Sequence, residues 1–295
     1  MKLIDFFNQA IRFGRLADPR ADKKKIASFP DSGILFGRPN TEVKKIMVGI
    51  DIEVAELLLA EHIRQKEGLD LVVAHHPEGK SYVGLHEVMR LQVDLLRQAG
   101  VAYKTAVRLV DERMLEVERR VLPQNHTRPI DAARLLDLPF INLHTPADNH
   151  VYKFLKVLFD RKRSVLHSVG DIVKLLKDIP EYQIAEKFNT GPRIILGNLK
   201  RPTGKILLEM TGGTEGSKDV FNKLYKAGVR TLVSMHLSEE HLKKAREANL
   251  NVVIAGHISS DTLGLNLLLD NIEKAARQKF QVISCSGFTR IRRGQ

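Results

Sequence analysis

The sequence has little cysteine and few aromatic residues. Of its 295 residues, one is cysteine and 6% are Phe, Tyr or Trp. The single Cys285 excludes an internal disulfide framework and a cysteine-cluster zinc site, so we expect a reducing, cytoplasmic setting. Any metal ion would then have to be held by histidine and carboxylate side chains.

Long apolar runs are also missing. No stretch reaches the roughly 18 apolar residues that a membrane span requires. The N-terminal segment carries Asp5 and Arg12 where a signal peptide needs an apolar core. Its apolar residues instead have the spacing of an amphipathic helix: Leu3, Phe6, Phe7, Ile11 and Phe13. We therefore expect no membrane partner.

Basic residues outnumber acidic ones, 47 to 35, which gives a net charge of +12. The basic runs are scattered, at residues 23–25, 161–163, 243–244 and 290–293, and few aromatics interleave with them. Proteins that bind single-stranded nucleic acid combine charge with aromatic stacking platforms. The excess charge thus leaves nucleic-acid binding open, but it fits the attraction of a phosphorylated small molecule better.

Short β-branched and aliphatic runs alternate with longer amphipathic stretches from Lys45 onward. The predicted strands are Ile46–Ile50, Leu71–His75, Val101–Thr105, Phe140–His144, Lys205–Glu209, Thr231–Met235, Asn251–Ala255 and Phe280–Ser284. The predicted helices cover residues 53–66, 86–99, 108–121, 149–160, 218–227, 238–248 and 260–277. This alternation predicts an α/β fold with substantial parallel strand pairing.

Two segments of the chain resemble each other. KIMVGID…LDLVVAHH runs from Lys45 to His76, and KILLEMT…VRTLVSMH runs from Lys205 to His236, with the same separation. Any strand–helix–strand unit has about this length, about 30 residues, so equal spacing alone is weak. The matching Lys-Ile starts and Val-x-x-His ends favour a repeated half-domain.

A boundary is predicted between the two repeats. The region 161–203 contains a basic run and three prolines but no strong strand before Ile194. The sequence therefore predicts an N-terminal α/β lobe at 1–160, a connecting segment at 161–203 and a C-terminal α/β lobe at 204–295. No low-complexity tract marks a flexible linker, so we expect the lobes to pack on each other.

Histidines and carboxylates collect where predicted strands end. His75 and His76 follow one strand, Asp148 follows another after His144, and His257 precedes Asp261 by four residues. Each cluster has an ordinary alternative, since strand ends are often polar and an Asp at a helix start is a common N-cap. Ligand sites of α/β sheets nevertheless lie at strand ends.

Imidazole nitrogen and carboxylate oxygen are donors that first-row divalent metal ions accept. The number of such groups at the three strand ends suits a dinuclear centre. The donor set does not distinguish Zn, Fe, Mn, Co or Ni. The sequence therefore predicts two divalent metal ions of unspecified identity.

These motifs also carry a family resemblance. HHP after a strand, HT-x-x-D and a late GH-x-x-x-acid resemble the Nif three-like family, whose members are also named GTP cyclohydrolase I type 2 homologues. The resemblance extends from DSGILFG at 31–37 to VVIAGHISSD at 252–261. It implies two similar α/β lobes with a dinuclear metal site between them, and a toroidal homohexamer built as a trimer of dimers. By motif match, the metal ligands would be His75, His76, Asp148, His257 and Asp261.

Two features depart from the family pattern. Asp261 stands where a glutamate is usual, so its carboxylate reaches one methylene less far. The stretch between HHP and HT-x-x-D is longer than is common in the family. Both departures indicate a divergent subgroup of the family.

Further polar groups follow the second repeat. His236 and Glu240 are predicted to transfer protons in the cleft, with a solvated first helical turn as the alternative. The glycine-rich segment MTGGTEGS at 210–217 could bind phosphate through backbone N–H groups, but tight strand–helix packing explains it as well. No GxSxG nucleophile motif is present.

Three functions are compatible with these patterns. A metal-dependent hydrolase acting on a nucleotide or another phosphorylated small molecule ranks first, and the family label suggests GTP ring opening. A regulatory or interaction protein with a structural metal site is the second, and a nucleic-acid-binding protein is the third. Turnover, metal content and salt-dependent binding distinguish the three.

Overall fold

The computed structural model describes residues 1–293, in which nine strands form two sheets. The strands are β1 (Gly33–Phe36), β2 (Lys45–Gly49), β3 (Leu71–Ala74), β4 (Phe140–Asn142), β5 (Arg193–Leu196), β6 (Lys205–Glu209), β7 (Val229–Ser234), β8 (Asn251–Ile254) and β9 (Gln281–Ser284). The first sheet has the order β1-β4-β3-β2-β9 and the second the order β5-β8-β7-β6.

Helices make up most of the remaining chain. They are α1 (Leu3–Ala17), α2 (Val54–Glu67), α3 (Gly79–Val83), α4 (Leu85–Val88), α5 (Leu91–Ala99), α6 (Tyr103–Val121), α7 (Arg128–Leu135), α8 (Thr145–Arg161), α9 (Val169–Lys177), α10 (Pro180–Lys187), α11 (Phe221–Lys226), α12 (Glu239–Glu247) and α13 (His257–Ala276). Over the described range, no helix combines the length and apolar character of a membrane span.

The two sheets repeat one topology. In each, three parallel strands lie side by side, and an antiparallel strand, β1 or β5, pairs with the last of them. Both antiparallel pairs shift register at the same place, between Ile34 and Phe36 in β1 and between Ile194 and Leu196 in β5. We call the part of the chain built on the first sheet the first lobe, and the part built on the second the second lobe. The predicted fold of two similar α/β lobes with mixed, partly parallel sheets is confirmed.

Burial explains the parallel pairing. Every residue of β3 is buried, and β2 is buried except at Lys45. Strands covered on both faces read as continuous apolar runs, which is typical of parallel sheets with helices on both sides. The apolar runs that predicted these strands therefore reflect their central place in the sheet.

Helices α8 and α13 pack against each other in the centre of the molecule. Eight consecutive residues at the start of α8, residues 145–152, are buried. Gly264 of α13 meets α8 so closely that a Cβ there would lie 2.5 Å from the carbonyl oxygen of Ala147 and 2.8 Å from Val151. This close approach brings together the first turns of two helices that each follow a strand.

The prediction of a strand at Val101–Thr105 is wrong, because α6 begins at Tyr103. Val101 is buried, which accounts for the apolar signal. The buried residues that follow recur at helical spacing, at positions 106, 109, 110, 113, 117 and 121. The predicted helix 86–99 is divided into α4 and α5.

The described chain adds one strand to the first sheet after completing the second. β9 pairs in parallel with β2, from Lys45 opposite Gln281 to Val48 opposite Ser284. The region 161–203 contains α9, α10 and β5, and β5 belongs to the second sheet. The division at 160 and 203 stays a prediction, and we propose that the lobes be divided by sheet, with β9 counted in the first.

Candidate metal centre

The candidate site lies where the parallel strands of both sheets end. His75 and His76 follow β3, and His144 follows β4 and precedes α8. Asp148 lies in the first turn of α8, and His257 and Asp261 lie at the start of α13. Because α8 and α13 are packed together, their first turns bring residues from both lobes into one cluster.

The cluster is built around the two aspartates. Nε2 of His75 lies 3.4 Å from Oδ1 of Asp148 and 3.4 Å from Oδ1 of Asp261. The other oxygen of Asp261 lies 3.5 Å from Nε2 of His76 and 3.5 Å from Nε2 of His257. Asp261 therefore faces three imidazoles, with its two oxygens directed at different ones.

Two groups of side chains offer donor atoms within 4.8 Å of one another. The first contains His75, His76 and Asp261, and the second contains His75, His144 and Asp148. The two groups share His75 and together use residues that follow β3 and β4 and residues of α8 and α13. The chain thus has groups of His and Asp residues that could hold a metal ion.

The donor atoms fit a cation because several of them are buried and lack a hydrogen-bond partner. These atoms are Nε2 of His75, Oδ1 of Asp148 and both carboxylate oxygens of Asp261. Asp261 is 1% exposed, and an ionised carboxylate buried without hydrogen bonds is costly. A divalent ion would supply the missing interactions, and nitrogen and oxygen are the ligands it accepts in such sites.

Hydrogen bonds at Nδ1 orient three of the histidines. Nδ1–H of His75 donates to the carbonyl oxygen of Leu143 at 3.1 Å. His76 and His144 donate in the same way to carboxylates, at 2.6 Å to Asp51 and at 2.7 Å to Asp31. Each bond leaves Nε2 free to face the cluster, which is the arrangement that fixes metal-binding imidazoles.

Asp31 is itself held in place. It is fully buried, and its Oδ2 also accepts hydrogen bonds from the backbone N–H and the hydroxyl of Thr145, at 3.3 and 2.6 Å. The neighbouring Ser32 hydroxyl accepts the backbone N–H of His144 at 3.0 Å. The segment around Asp31 therefore fixes both the ring and the backbone of His144.

The carboxylates change the pKa of the histidines. Burial alone lowers the pKa of His75 and His76, but the charges and hydrogen bonds of nearby carboxylates outweigh it and raise the values to about 10 and about 9. Burial raises the pKa of Asp261, and the surrounding imidazoles outweigh that effect, so that its pKa is lowered well below the usual range. The negative charge at the centre therefore attracts cations, whether protons or metal ions.

The structure brings all five predicted ligand residues together: His75, His76, Asp148, His257 and Asp261. The ligand set predicted from the sequence does not include His144, although His144 precedes Asp148 by the same four residues that separate His257 from Asp261. The prediction also missed Asp31 and Asp51. Asp51 directly follows the apolar run of β2, a strand-end signal of the kind that identified the histidines.

The two residues predicted to transfer protons lie in different places. The ring of His236 lies 4.7 Å from that of His257, between ring centres, and borders the cleft above the cluster. Glu240 is not brought there, because its 72% exposed side chain pairs with Lys218 at 2.6 Å on another surface. The carboxylate beside His236 is that of Glu215, with Oε1 at 3.3 Å from Nδ1.

The cluster opens into a cavity of about 500 Å³. Its walls include Thr214 and His236 of the second lobe, and Tyr82, His126 and Arg128 from the chain between β3 and β4. This volume falls within the usual range for small-molecule sites, about 300–1,000 Å³. The arrangement therefore has the access that a substrate needs.

No protein-family model and no curated protein matches the chain. Among solved structures, it is similar to a NIF3 superfamily protein from Sphaerobacter thermophilus, with 28% identity and a TM-score of 0.82 over 96% of this chain and 98% of the other.

Two further structures are more distant. Reduced HcgD from Methanocaldococcus jannaschii is 17% identical, with a TM-score of 0.55 over 96% of this chain and 97% of that one. Protein ybgI, described as of unknown function, is 15% identical, with a TM-score of 0.52 over 97% and 98%. At these identities the likeness concerns the fold alone. The 28% identical match supports a NIF3-like family and confirms the predicted resemblance to the Nif three-like family, and the two distant structures agree with it in fold.

Proposed function

We propose that this NIF3-like protein is a metal-dependent hydrolase that holds two divalent metal ions and acts on a nucleotide or another phosphorylated small molecule. The observation that carries the proposal is the set of buried donor atoms without hydrogen-bond partners beside an open cavity. A closed structural metal site would need no such cavity.

The ligands proposed for the two ions are the five predicted residues together with His144. Asp261 is the candidate for a shared ligand, because its two oxygens face different histidines. When bound, divalent ions at such a site supply activation of water and neutralisation of charge on a phosphoryl group. Zn, Fe, Mn, Co and Ni all accept this donor set, so the proposal leaves the metal unspecified.

The residues of the chain contribute binding and proton transfer. Nδ1 of His236 faces Glu215, so its Nε2 is the atom available to accept or donate a proton in the cleft. The hydrogen bond with Glu215 raises the pKa of His236. Arg128 borders the same cavity, where it pairs with Glu53 at 3.8 Å and is the candidate group for binding an anionic substrate.

Metal content and turnover test the proposal together. We expect elemental analysis to find two metal ions per chain. Purified protein should hydrolyse bis-p-nitrophenyl phosphate or one of a panel of nucleotides that includes GTP. Activity should vanish on chelation and return when the metal is restored. Metal binding without turnover on any substrate would favour the regulatory or interaction protein, and binding of nucleic acid that weakens steeply with salt would favour the third function.

We also propose a homohexamer, on the strength of the family resemblance. Light scattering coupled to size-exclusion chromatography would give about six times the chain mass of 33.3 kDa. A monomer or dimer at micromolar concentration would contradict this part of the proposal and leave the chemistry of the site unaffected.

A further inference from the structure

The glycine-rich turn, residues 210–217, lies against helices that belong to the connection between β3 and β4. We call this connection, residues 75–139, the long connection. Gly213 has φ +85°, and a Cβ there would lie 2.9 Å from Val88 and 3.0 Å from the carbonyl oxygen of Leu85. The turn of the second lobe therefore docks directly onto α4 and its flanking residues in the first.

Gln92 of α5 fastens this contact. Its side chain is 6% exposed, and its Nε2 donates to two carbonyl oxygens of the turn, Gly212 at 2.8 Å and Thr214 at 2.7 Å. A side-chain amide has two N–H groups and can therefore satisfy both carbonyls at once. Arg113 of α6 holds the following residue of the turn, because its Nε donates to the carbonyl oxygen of Glu215 at 3.1 Å.

The turn carries the carboxylate that holds His236. Oε1 of Glu215 accepts the backbone N–H of Ser238 at 2.5 Å and lies 3.3 Å from Nδ1 of His236. Oε2 lies 3.4 Å from Nδ1 of His241. A continuous series of contacts thus runs from Gln92 through the turn and Glu215 to His236, whose ring packs beside the His257 ring.

We infer that Gln92 is a positioning residue, which holds the glycine-rich turn so that Glu215 fixes the His236 ring over the metal residues. The catalytic consequence rests on the proposed hydrolase function, whereas the positioning does not. The inference also gives the long connection a role, since it supplies Gln92 and Arg113, while His241 of the second lobe contacts the carbonyl oxygen of Gly216 at 2.9 Å.

The test uses Gln92→Met and Gln92→Glu in the full-length protein. Methionine has similar volume without a donor, and glutamate keeps the shape but replaces the donor with an oxygen. The matched control is Gln98→Met, because Gln98 lies on the same helix and its Nε2 also donates to a backbone carbonyl, that of Pro19 at 3.1 Å, on the exposed surface.

Amide hydrogen exchange followed by mass spectrometry tests whether Gln92 positions the turn, and it does not depend on turnover. In both Gln92 variants, exchange should rise at least about tenfold at residues 212–216 and at the Ser238 amide, the effect of losing a buried hydrogen bond. The Ser238 amide is decisive, because it lies outside the turn and donates to Glu215. Unchanged exchange at Ser238, or an equal rise in the Gln98 control, would overturn the inference.

Kinetics test the consequence for catalysis. With bis-p-nitrophenyl phosphate, kcat should fall about 10- to 100-fold, as expected when a reacting group is misplaced, while KM and metal content stay at the wild-type values. A kcat equal to wild type in a variant with raised exchange would contradict the role at His236. If the wild-type protein itself lacked turnover, the hydrolase proposal would fail, and the exchange at Ser238 would still decide the positioning.

Discussion

The two lobes share the order of four strands but differ in the number of histidines at the strand ends and in the groups that hold them. Residues 160 positions apart occupy equivalent places: Ile46 pairs with Leu71 in the first sheet, and Ile206 pairs with Thr231 in the second. By the same offset, His75 and His76 correspond to Met235 and His236. The first lobe therefore places two imidazoles where the second places one.

The residues behind the histidines differ as well. Asp31 and Asp51 orient His144 and His76 in the first lobe, and the same offset leads to Gly191 and Thr211 in the second. Between residues 1 and 293, Nδ1 of His257 has no hydrogen-bond partner, and its side chain is 39% exposed. The proposed histidine ligands of the first lobe are thus held by hydrogen bonds at Nδ1, whereas His257 of the second lobe is not.

The largest test of this comparison is removal of the central carboxylate. Asp261→Ala should abolish binding of both metal ions, since Asp261 faces three imidazoles, whereas Asp148→Ala should leave about one ion per chain. Elemental analysis after gel filtration gives the count. Equal metal loss in the two variants would contradict the proposal that Asp261 is shared by both metal ions.

The second test uses pH, because the pKa values of His75 and His76 are shifted in the opposite direction to that of His257. In the metal-free protein His75 and His76 keep their protons up to about pH 10 and about pH 9, whereas burial lowers the pKa of His257. Metal binding must displace the protons of the first two. The apparent affinity should therefore rise about tenfold per pH unit for each imidazole between pH 7 and 9.

Competition with a chelator of known proton linkage measures this slope. His76→Ala should reduce it by the contribution of one proton, and His257→Ala should leave it unchanged while lowering the affinity. A wild-type affinity independent of pH would show that the histidines of the first lobe are neutral before the metal binds.

A smaller effect is expected from the residues behind the ligands. Asp51→Asn should weaken metal binding about 10- to 100-fold, the usual cost of losing a partner of a ligating histidine. Thr211→Val, at the equivalent place in the second lobe, should change the affinity less than about twofold. Isothermal titration with the same metal compares the two variants, and similar losses would remove the distinction between the lobes.

The smallest expected effect concerns packing between the lobes. Gly264→Ala should lower the free energy of unfolding by about 1–3 kcal/mol, because the new Cβ meets Ala147 and Val151. Urea denaturation measures this, with Lys274→Ala near the exposed end of α13 as a control within about 0.5 kcal/mol of wild type. An unchanged midpoint for Gly264→Ala would show that α8 and α13 can separate without cost.

The sequence predicted those parts of the site that depend on local signals. The proposed ligands lie just after apolar strands or in the first turn of the helix that follows, so their place near strand ends is visible in the pattern. Asp31 orients His144 from a distant part of the chain, and nothing in its neighbourhood indicates that pairing. For the same reason Glu240 was predicted in place of Glu215. Glu240 is near His236 in the sequence, but the turn after β6 brings Glu215 to His236 in the structure.

Prediction of the fold was limited in the same way. The parallel strands were recognised because they are buried and continuous. The start of α6 was mistaken for a strand because the apolar run at Val101 is too short to show a period, and burial over the following turns decides the helix. The pairing of β9 with β2 joins segments from opposite ends of the described chain and cannot be read from either segment alone.

That last pairing has a consequence for how the protein folds. β2 lies between β3 and β9, so one of its edges stays open until the chain beyond α13 is available. Contacts between such distant segments are slow to form, because the intervening chain must first be brought together. During synthesis the first sheet is completed only after the second lobe has been made. We therefore expect the two lobes to fold as one cooperative unit, in which the proposed metal ligands come together late.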